Sequence, residues 1–335
     1  MATIKEIAER VGYSLTTVSR VLNYDSSLSV SEATRRQIIE TAEELNYTPP
    51  RLRGKRQQAP DITIVPVSLV HFLNPAEELA DPYYITVRHS IEKRLLELGL
   101  KLNNQCVADD ELPAAIAADG GALIVVGPHK PSFIDALAEQ SIPCVFVDFP
   151  PTRKDVDCVY PDLTHAMTNL MDQLWERGFR SFGFIGSRSG GSNPKRPFPE
   201  YRHDTFLEWF RQHDLEEPSL VRLQDLSPVG GFEMARDLLS SGNLPQVLIA
   251  ANDTMAIGAM HATSSLNLKV PEDIRIVGFN DIPAAALTEP SLTTVSIPAD
   301  EIGRSAVDLL VERLAGRQFA KRLILTTNIC WRESC

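Results

Sequence analysis

The chain has 335 residues, of which 43% are hydrophobic and 23% are charged, so it can bury the cores of two or three ordinary domains. Its net charge of −11 argues against a nucleic-acid partner for the chain as a whole. The five cysteines show no paired CxxC spacing, which argues against a disulfide framework and a zinc site. No apolar run reaches the roughly 18 residues of a membrane span, which argues against a membrane protein. The amino terminus lacks a signal peptide's apolar core, so we expect a cytoplasmic protein.

The charge is divided unevenly along the chain. Residues 1–57 carry 9 Lys and Arg against 7 Asp and Glu, a balance of +2, whereas residues 58–335 carry 24 against 37, a balance of −13. A mildly basic head on an acidic body is compatible with DNA binding by the head alone. We therefore predict a DNA-binding domain with its hinge at 1–57 and a second functional region at 58–335.

The sequence of the head predicts three short helices. The first has apolar residues at helical spacing, a capping box that begins at Thr3 and an end at Gly12, where a positive φ is needed. Ser14 is predicted to cap a second helix over residues 15–23, and Ser31 a third. Three helices with a tight turn between the first two predict a helix-turn-helix. Periodicity alone leaves open a small helical bundle with a solvated polar face.

In a helix-turn-helix the second helix enters the major groove, and its first residues meet base edges. Residues 3–8, 12–14, 17–23 and 44–47 resemble the signature of the LacI/GalR family of repressors, in order and at family spacing. The resemblance implies that Leu15 and Thr16 select the operator and that Arg20 reads guanine. The predicted DNA-binding residues are Thr3, Ser14, Leu15, Thr16, Thr17, Ser19, Arg20, Asn23 and Leu52.

Leu52 belongs to the linker at residues 48–60, which is Pro-flanked, basic and poor in apolar residues. That composition predicts a flexible segment attracted to phosphate. The family has a hinge helix here that wedges a leucine into the minor groove, and Leu52 is the candidate for that role. This linker is shorter than the family's and carries Gly54, so an incidental linker residue is an equal alternative.

In the body, apolar runs alternate with helical stretches. Strands are predicted at 62–68, 102–107, 122–126, 144–148, 181–185, 247–250, 274–278 and 323–327, and helices at 84–98, 164–177, 233–241, 254–266 and 299–315. The alternation predicts right-handed βαβ units, and the number of strands predicts an α/β body of two doubly wound parallel-sheet lobes, like that of periplasmic binding proteins. Ligands of such folds lie at the carboxyl ends of strands, so a cleft between the lobes is expected.

Catalytic and cofactor motifs are missing from this sequence. It contains no G-x-G-x-x-G after the first strand, no Walker motif, no G-x-S-x-G elbow and no H-E-x-x-H, and its histidines show no metal-ligand spacing. We therefore predict neither an enzyme, nor a cofactor, nor a metal site.

Polar residues stand instead at predicted strand ends. Asp162 and Asn252 could simply cap helices, Asn280 could form a turn, and Arg202 could pair with Glu200. Each of these structural roles is favoured when a residue is considered singly. Together, the residues supply donors and acceptors of the kind that hold a polyhydroxylated ligand.

Segments 250–258, 270–274, 277–281 and 290–295 resemble the body of the same family. The resemblance implies that the effector is bound by Tyr84, Asp162, Arg202, Leu226, Asn252 and Asn280. Two of these depart from family patterns, because Asn280 stands where lac-type repressors have aspartate and Leu226 where some have a stacking tryptophan. Within the family, residues 81–84, 88–92 and 280–283 look closest to a repressor of a β-galactosidase operon, which implies a β-galactoside or related sugar as effector.

The expected protein is thus a homodimeric repressor of a sugar-utilisation operon that a small sugar releases from double-stranded operator DNA. Use of the sugar as a corepressor stays open. A periplasmic sugar-binding protein would share the body, but it would need a signal peptide and would have no helix-turn-helix. A sugar-metabolising enzyme would need a nucleophile, metal set or phosphate loop. The carboxyl end carries no heptad repeat, which favours a dimer over a coiled-coil tetramer.

Overall fold

A computed structural model describes residues 3–22, 30–45, 65–107, 121–140, 142–187, 199–216, 218–224 and 226–335. The chain divides into two compact units, Met1–Thr63 and Ile64–Cys335. The boundary predicted after residue 57 lies outside the described residues, as do the linker with Leu52 and the end of the second predicted helix at Asn23.

The first unit begins with three helices, α1 (Ile4–Val11), α2 (Leu15–Leu22) and α3 (Glu32–Glu44). The capping box is present, because the Thr3 hydroxyl accepts from the Glu6 amide at 3.3 Å while the Glu6 carboxylate accepts from the Thr3 amide at 2.7 Å. Gly12 ends α1 with φ 76°, and the Ser14 hydroxyl accepts from the Thr17 amide at 3.1 Å at the start of α2. The predicted helix-turn-helix is confirmed.

The three helices hold together through one apolar cluster. Ile7, Val18, Val21 and Ile38 are fully buried, and they come from all three helices. This cluster uses the positions at which the sequence repeats with helical spacing, so the opposite polar face of α2 is left for other contacts.

The second unit contains two six-stranded sheets within its described residues. The first sheet has the spatial order β11 (Arg322–Leu325), β5 (Asp157–Pro161), β4 (Cys144–Val147), β3 (Ala122–Val126), β1 (Val67–His71) and β2 (Leu102–Val107). The second has the order β12 (Asn328–Cys330), β10 (Thr293–Ser296), β9 (Arg275–Asn280), β8 (Val247–Ala250), β6 (Phe182–Gly186) and β7 (Val221–Leu223).

Among the described strands, every pair is parallel except β10 with β12, which is antiparallel. In each sheet the order in which strands are added reverses between two neighbouring strands. These neighbours are β1 and β3 in the first sheet and β6 and β8 in the second. Such reversals open a crevice at the carboxyl ends of the strands. The prediction of two doubly wound parallel lobes is confirmed.

The helices in the described part of the body are α4 (Pro75–Ala80), α5 (Pro82–Glu97), α6 (Pro131–Glu139), α7 (Leu163–Glu176), α8 (Tyr201–Gln212), α9 (Pro228–Ser240), α10 (Asp253–Ser265) and α11 (Ala299–Leu314), with a 3₁₀ helix at Pro283–Leu287. In the first lobe α11 packs on α5 and on strands β3 to β5, while α6 covers Leu123 and Val125. The α5–α11 contact depends on Gly303, where a Cβ atom would lie 2.6 Å from the Val87 carbonyl oxygen. In the second lobe α7 packs on α8, and α9 on α10.

Several predicted bounds were wrong. Residues 62–64 of the strand predicted at 62–68 lie outside the described residues, and the described strand runs from Val67 to His71, because Pro66 has no amide hydrogen to donate to a neighbouring strand. The helices predicted from residues 84 and 233 begin earlier, at Pro82 and Pro228, since proline suits the first turn of a helix. The sequence reading did not identify β5, β7, β10, β12, α4, α6 and α8.

Candidate functional site

A cavity of about 260 Å³ lies where carboxyl ends of strands from both sheets meet, and we call it the inner cavity. Its walls include five of the six residues predicted to bind an effector, namely Tyr84, Arg202, Leu226, Asn252 and Asn280. They are joined by Phe72, Leu73, Glu77, Ala80, Asp81, Tyr83, Asp148, Pro161, Leu163, Ser227 and Ile297. The fold therefore places side chains from the two lobes around one space, as the topology rule for parallel sheets predicts.

Asp81 connects the two lobes across the inner cavity. It caps α5 in the first lobe, where its carboxylate accepts from the Tyr83 amide at 3.3 Å. The same carboxylate accepts from the Asn252 side-chain amide at 3.1 Å and faces that of Asn280 at 3.5 Å, both from the second lobe. Burial raises the pKa of Asp81 because the charged form is poorly solvated there, while these amide donors act in the opposite direction.

Asn252 is a helix cap as well as a partner of Asp81. Its side-chain oxygen accepts from the Met255 amide at 2.9 Å, which caps α10, and from the Thr254 hydroxyl at 3.0 Å. The side chain is only 1% exposed. The helix-capping role that the sequence allowed for Asn252 is therefore present, and the amide nitrogen of the same side chain donates to Asp81.

Asn280 stands at the end of β9, where the backbone turns. Asn280 and Asp281 have φ angles of 106° and 57°, in the left-handed region that asparagine and aspartate tolerate best among side-chain-bearing residues. The turn is fixed on its outer side, because Arg332 donates to the Asp281 carboxylate at 2.6 Å and the buried Asp253 carboxylate accepts from the Ile282 amide at 2.8 Å. Burial raises the pKa of Asp253 to about 7.

Two tyrosines and one carboxylate form a second polar group in the wall. The hydroxyls of Tyr83 and Tyr84 donate to the two oxygens of Asp148 at 2.5 and 2.8 Å. Asp148 follows β4 directly and has φ 70°, an uncommon backbone conformation that often marks functional sites. Burial raises the pKa of Asp148 to about 6, since both hydrogen bonds from tyrosine oppose the effect without cancelling it.

Arg202 is held by a buried carboxylate. Its Nε and Nη2 atoms donate to the two oxygens of Glu200 at 2.6 and 2.7 Å, and its Nη1 atom donates to the Ala251 carbonyl oxygen. Glu200 is 2% exposed, so the pair is an almost fully buried, two-bond ion pair. The pairing with Glu200 that the sequence allowed is present, and it positions the guanidinium in the cavity wall.

Phe72, Tyr84 and Leu226 supply the apolar part of the inner cavity. The rings of Phe72 and Tyr84 meet edge to face with centroids 5.0 Å apart. Leu226 offers an aliphatic surface from the second lobe, whereas Phe72 and Tyr84 belong to the first lobe.

Asp162 lies outside the inner cavity. It lines a neighbouring space of about 520 Å³, which we call the outer cavity, and its carboxylate caps α7 by accepting from the His165 amide at 2.9 Å. Five residues line both cavities, namely Tyr84, Asp148, Pro161, Leu163 and Arg202. The six predicted effector residues thus fall into two adjoining spaces.

The predicted effector residues did not include Asp81, Tyr83, Asp148 or Glu200. A signal existed for Asp148, because an aspartate directly follows an apolar strand, which is the same pattern that identified Asn252 and Asn280. Asp81 follows a strand only after the short helix α4, which the sequence reading did not identify.

In the head, the predicted DNA-binding residues that the structure describes lie on α2 and at the starts of α1 and α2. Thr3, Ser14, Leu15 and Thr16 are exposed, with Leu15 at 49%, whereas Thr17, Ser19 and Arg20 are half-buried. Thr3 and Ser14 also act as helix caps. Among the described residues, no group of three or more His, Cys, Asp or Glu is arranged to hold a metal ion, and no described helix is long and apolar enough to cross a membrane.

Comparison with known proteins gives matches in both units. Residues 3–50 match the family model described as bacterial regulatory proteins, lacI family, and residues 171–335 match a periplasmic binding protein-like domain. The chain is 31% identical to the HTH-type transcriptional regulator GalR of Lacticaseibacillus casei, over 94% of this chain and 93% of that protein. It is also 31% identical to the HTH-type transcriptional repressor MelR of Bacillus subtilis (strain 168), over 100% of this chain and 98% of that one.

Solved structures with the same fold include a lac repressor dimer bound to operator and the anti-inducer ONPF, with a TM-score of 0.71, 22% identity and coverage of 99% of this chain and 98% of that chain. A complex of the transcriptional regulator CelR with cellobiose has a TM-score of 0.71, 24% identity and full coverage of both chains at 100%. The relatives are transcriptional regulators, in agreement with the expectation that this chain is not an enzyme.

Proposed function

The chain belongs to the LacI family of bacterial regulatory proteins, and from that premise we propose that it is a DNA-binding repressor of a sugar-utilisation operon whose effector is a β-galactoside or a related sugar. The observation that carries the proposal is the inner cavity, in which Asp81, Tyr84, Arg202, Asn252 and Asn280 from two lobes converge.

The chemistry of these groups suits a sugar. A pyranose ring presents hydroxyls at its edge, which both donate and accept, and C–H groups on its faces. Carboxylate and amide oxygens of Asp81 and Asn280 can accept from hydroxyls, the guanidinium of Arg202 can donate to them, and Phe72 and Tyr84 can contact the apolar faces. A relative with the same fold was solved with cellobiose, which supports the same class of ligand here.

The β-galactoside is proposed from the resemblance of the segments around Asp81 and Asn280 to a repressor of a β-galactosidase operon. The structure adds a physical reason for one departure from lac-type repressors. Asn280 faces the Asp81 carboxylate at 3.5 Å, where an aspartate would place two negative charges together in a buried site. In this chain the carboxylate comes from the first lobe and the amide from the second.

Binding of a sugar would change the link between the lobes. Asn252 and Asn280 donate towards Asp81, so a sugar in the inner cavity competes for donors and acceptors that hold the two lobes together. A ligand shifts a two-state equilibrium only through a difference in affinity for the two states, and a difference of a few kcal/mol is enough to change operator occupancy. We propose that the sugar favours the lobe arrangement that binds operator less well.

Operator binding is assigned to α2 with its preceding turn, through Ser14, Leu15, Thr16 and Arg20. Two heads are needed for two half-sites, and we propose that the bodies pair to supply them. An apolar surface is available on the second lobe, where a cavity is lined by Phe232, Ile257 and Met260 beside Val229, which is 67% exposed. Asn23 and Leu52 stay as proposed DNA contacts.

The test is a mobility-shift titration of the full chain on DNA from the region upstream of its own gene, at moderate salt, with and without lactose and other β-galactosides. We expect a specific shift that lactose weakens and that Arg20→Ala reduces. Failure to shift any upstream fragment more tightly than scrambled DNA would overturn the repressor proposal. A shift strengthened by sugar would show a corepressor in place of an inducer.

A further inference from the structure

Asp253 is a buried carboxylate next to the wall of the inner cavity. It follows Asn252 as the first residue of α10, it is 0% exposed, and it lines neither the inner nor the outer cavity. It accepts from a hydroxyl and from a backbone amide, both of them uncharged groups. The energetic cost of burying a carboxylate in this way has to be offset by what its contacts hold in place.

The contacts of Asp253 hold the turn that carries Asn280. One carboxylate oxygen accepts from the Ile282 amide at 2.8 Å, and the other accepts from the Thr294 hydroxyl of β10 at 2.6 Å. The same hydroxyl oxygen accepts from the Asp281 amide at 3.3 Å. The two backbone amides that follow Asn280 are therefore bound to Asp253, one directly and one through Thr294.

The backbone of this turn needs such support. Asn280 and Asp281 have successive positive φ angles of 106° and 57°, a conformation that side-chain-bearing residues adopt mainly where their surroundings hold them. Gly278 of β9 lets the Asp253 carboxylate approach, because a Cβ atom there would collide with its Oδ1 atom. The close approach and the two bonds fix the place of Asn280, whose side chain lines the inner cavity.

We propose that Asp253 is the positioning residue of Asn280, and that a proton taken up by Asp253 weakens sugar binding in the inner cavity. This inference rests on the proposed function, which assigns Asn280 to the sugar. An ionised carboxylate accepts both hydrogen bonds with charge assistance, and such bonds are roughly twice as strong as neutral ones. A protonated Asp253 loses that assistance, so the turn holds Asn280 less firmly and the sugar loses a fixed partner.

The surroundings of Asp253 bring its ionisation into the neutral range. Burial raises the pKa of Asp253 to about 7, the two hydrogen bonds oppose this, and the carboxylates of Asp281 in the turn and Asp81 in the first lobe add to it. Arg332, which follows β12, donates to Asp281 at 2.6 Å, and the Cys330 thiol of β12 donates to the same carboxylate at 3.4 Å. Asp253 therefore changes its charge close to neutral pH.

The experiment measures the Kd of lactose for the full chain between pH 6 and pH 9 by titration calorimetry, in the wild type and in Asp253→Asn. The asparagine keeps the shape of the carboxyl group without its charge, so it stands for the protonated state. We expect the wild type to bind about fivefold more tightly than the variant at pH 9 and about equally at pH 6. The ratio of the two Kd values removes the effect of groups that titrate in both proteins, such as Asp148, whose pKa burial raises to about 6.

Asp157→Asn is the matched control. Asp157 is also a buried carboxylate, but it belongs to the first lobe, pairs with Arg313 and Arg317, and lies outside both cavities. Its replacement does not act on Asn280, so the ratio of its lactose Kd to that of the wild type should be the same at pH 6 and pH 9. If Asp253 were purely structural, Asp253→Asn would lower the melting temperature and leave this ratio equally constant, and that result would overturn the proposal.

A second variant keeps the test decisive if Asp253→Asn does not fold. Thr294→Val keeps the shape of the side chain and removes the hydroxyl that favours the ionised carboxylate. The pH at which lactose affinity changes should therefore move up by about one pH unit relative to the wild type. A wild-type Kd that is the same at pH 6 and pH 9, or a midpoint that Thr294→Val leaves unchanged, would overturn the role of Asp253. If the wild type binds lactose at no pH, the proposed function itself fails, and this inference with it.

Discussion

Replacement of Asn252 by alanine tests the link between the two lobes. The substitution removes the cap on the Met255 amide, which is worth about 1 kcal/mol, and the donor to the buried Asp81 carboxylate, which is worth about 1.5–3 kcal/mol for a hydrogen bond to a charged group. We therefore expect Asn252→Ala to lower the free energy of unfolding of the body by about 3 kcal/mol.

The matched control is Asp162→Ala. Asp162 also caps a helix that follows a parallel strand, by accepting from the His165 amide at 2.9 Å, but it is half-buried and makes no contact with Asp81. Its loss should cost only the cap, about 1 kcal/mol. The difference of about 2 kcal/mol between the two variants then measures the interlobe bond.

The assay is urea unfolding followed by tryptophan fluorescence. All three tryptophans, Trp175, Trp209 and Trp331, belong to the body, so the signal reports its unfolding and not that of the head. A double-mutant cycle of Asn252→Ala with Asp81→Ala should give a coupling energy of at least about 1 kcal/mol. Equal losses for Asn252→Ala and Asp162→Ala, together with additive effects in the cycle, would refute the interlobe bond as a source of stability.

Three further predictions concern charge. Asn280→Asp places a second carboxylate beside Asp81, and repulsion between the two raises the pKa of the pair in the folded state above the unfolded value of about 3.9. The variant should therefore be as stable as the wild type at low pH and lose stability as the pH rises. Equal melting temperatures of the two proteins at pH 8 would contradict this. Arg202→Ala leaves the buried Glu200 carboxylate without its ion-pair partner and should lower the free energy of unfolding in urea by about 3–5 kcal/mol. A loss below about 1 kcal/mol would contradict this. Arg20→Ala should lower operator affinity by about 1–3 kcal/mol and relax discrimination at one guanine, whereas an identical loss on every single-base operator variant would assign Arg20 to phosphate.

Much of the head could be predicted from the sequence because its determinants are local. The capping box at Thr3, the left-handed Gly12 and the cap at Ser14 each depend on residues within three or four positions. Local spacing therefore predicted α1 and α2 to within one residue wherever the structure describes them. Their proposed contacts with bases depend on the DNA as well as on the chain, so the local sequence alone does not determine them.

The site was only partly predictable, because its bonds join distant segments. Asp81 and Asn252 are separated by 171 positions, and Tyr83 and Asp148 by 65. Asn252 and Asn280 stand at the carboxyl ends of strands and were found by that rule, but Asp81 required knowledge of α4 and of how the lobes face each other. The missed strand β10 is short and three of its four residues are polar, so burial in the assembled sheet determines it more than local propensity does.

The path of the chain has a consequence for genetics. Through its described strands the chain passes between the two sheets three times, and β11 of the first sheet comes later in the sequence than all the parallel strands of the second. A stop codon at Gln318 would remove β11 and β12 together, which is one edge strand from each lobe. Nonsense alleles after α11 should therefore damage both lobes at once, and neither lobe can be produced by cutting the coding sequence once.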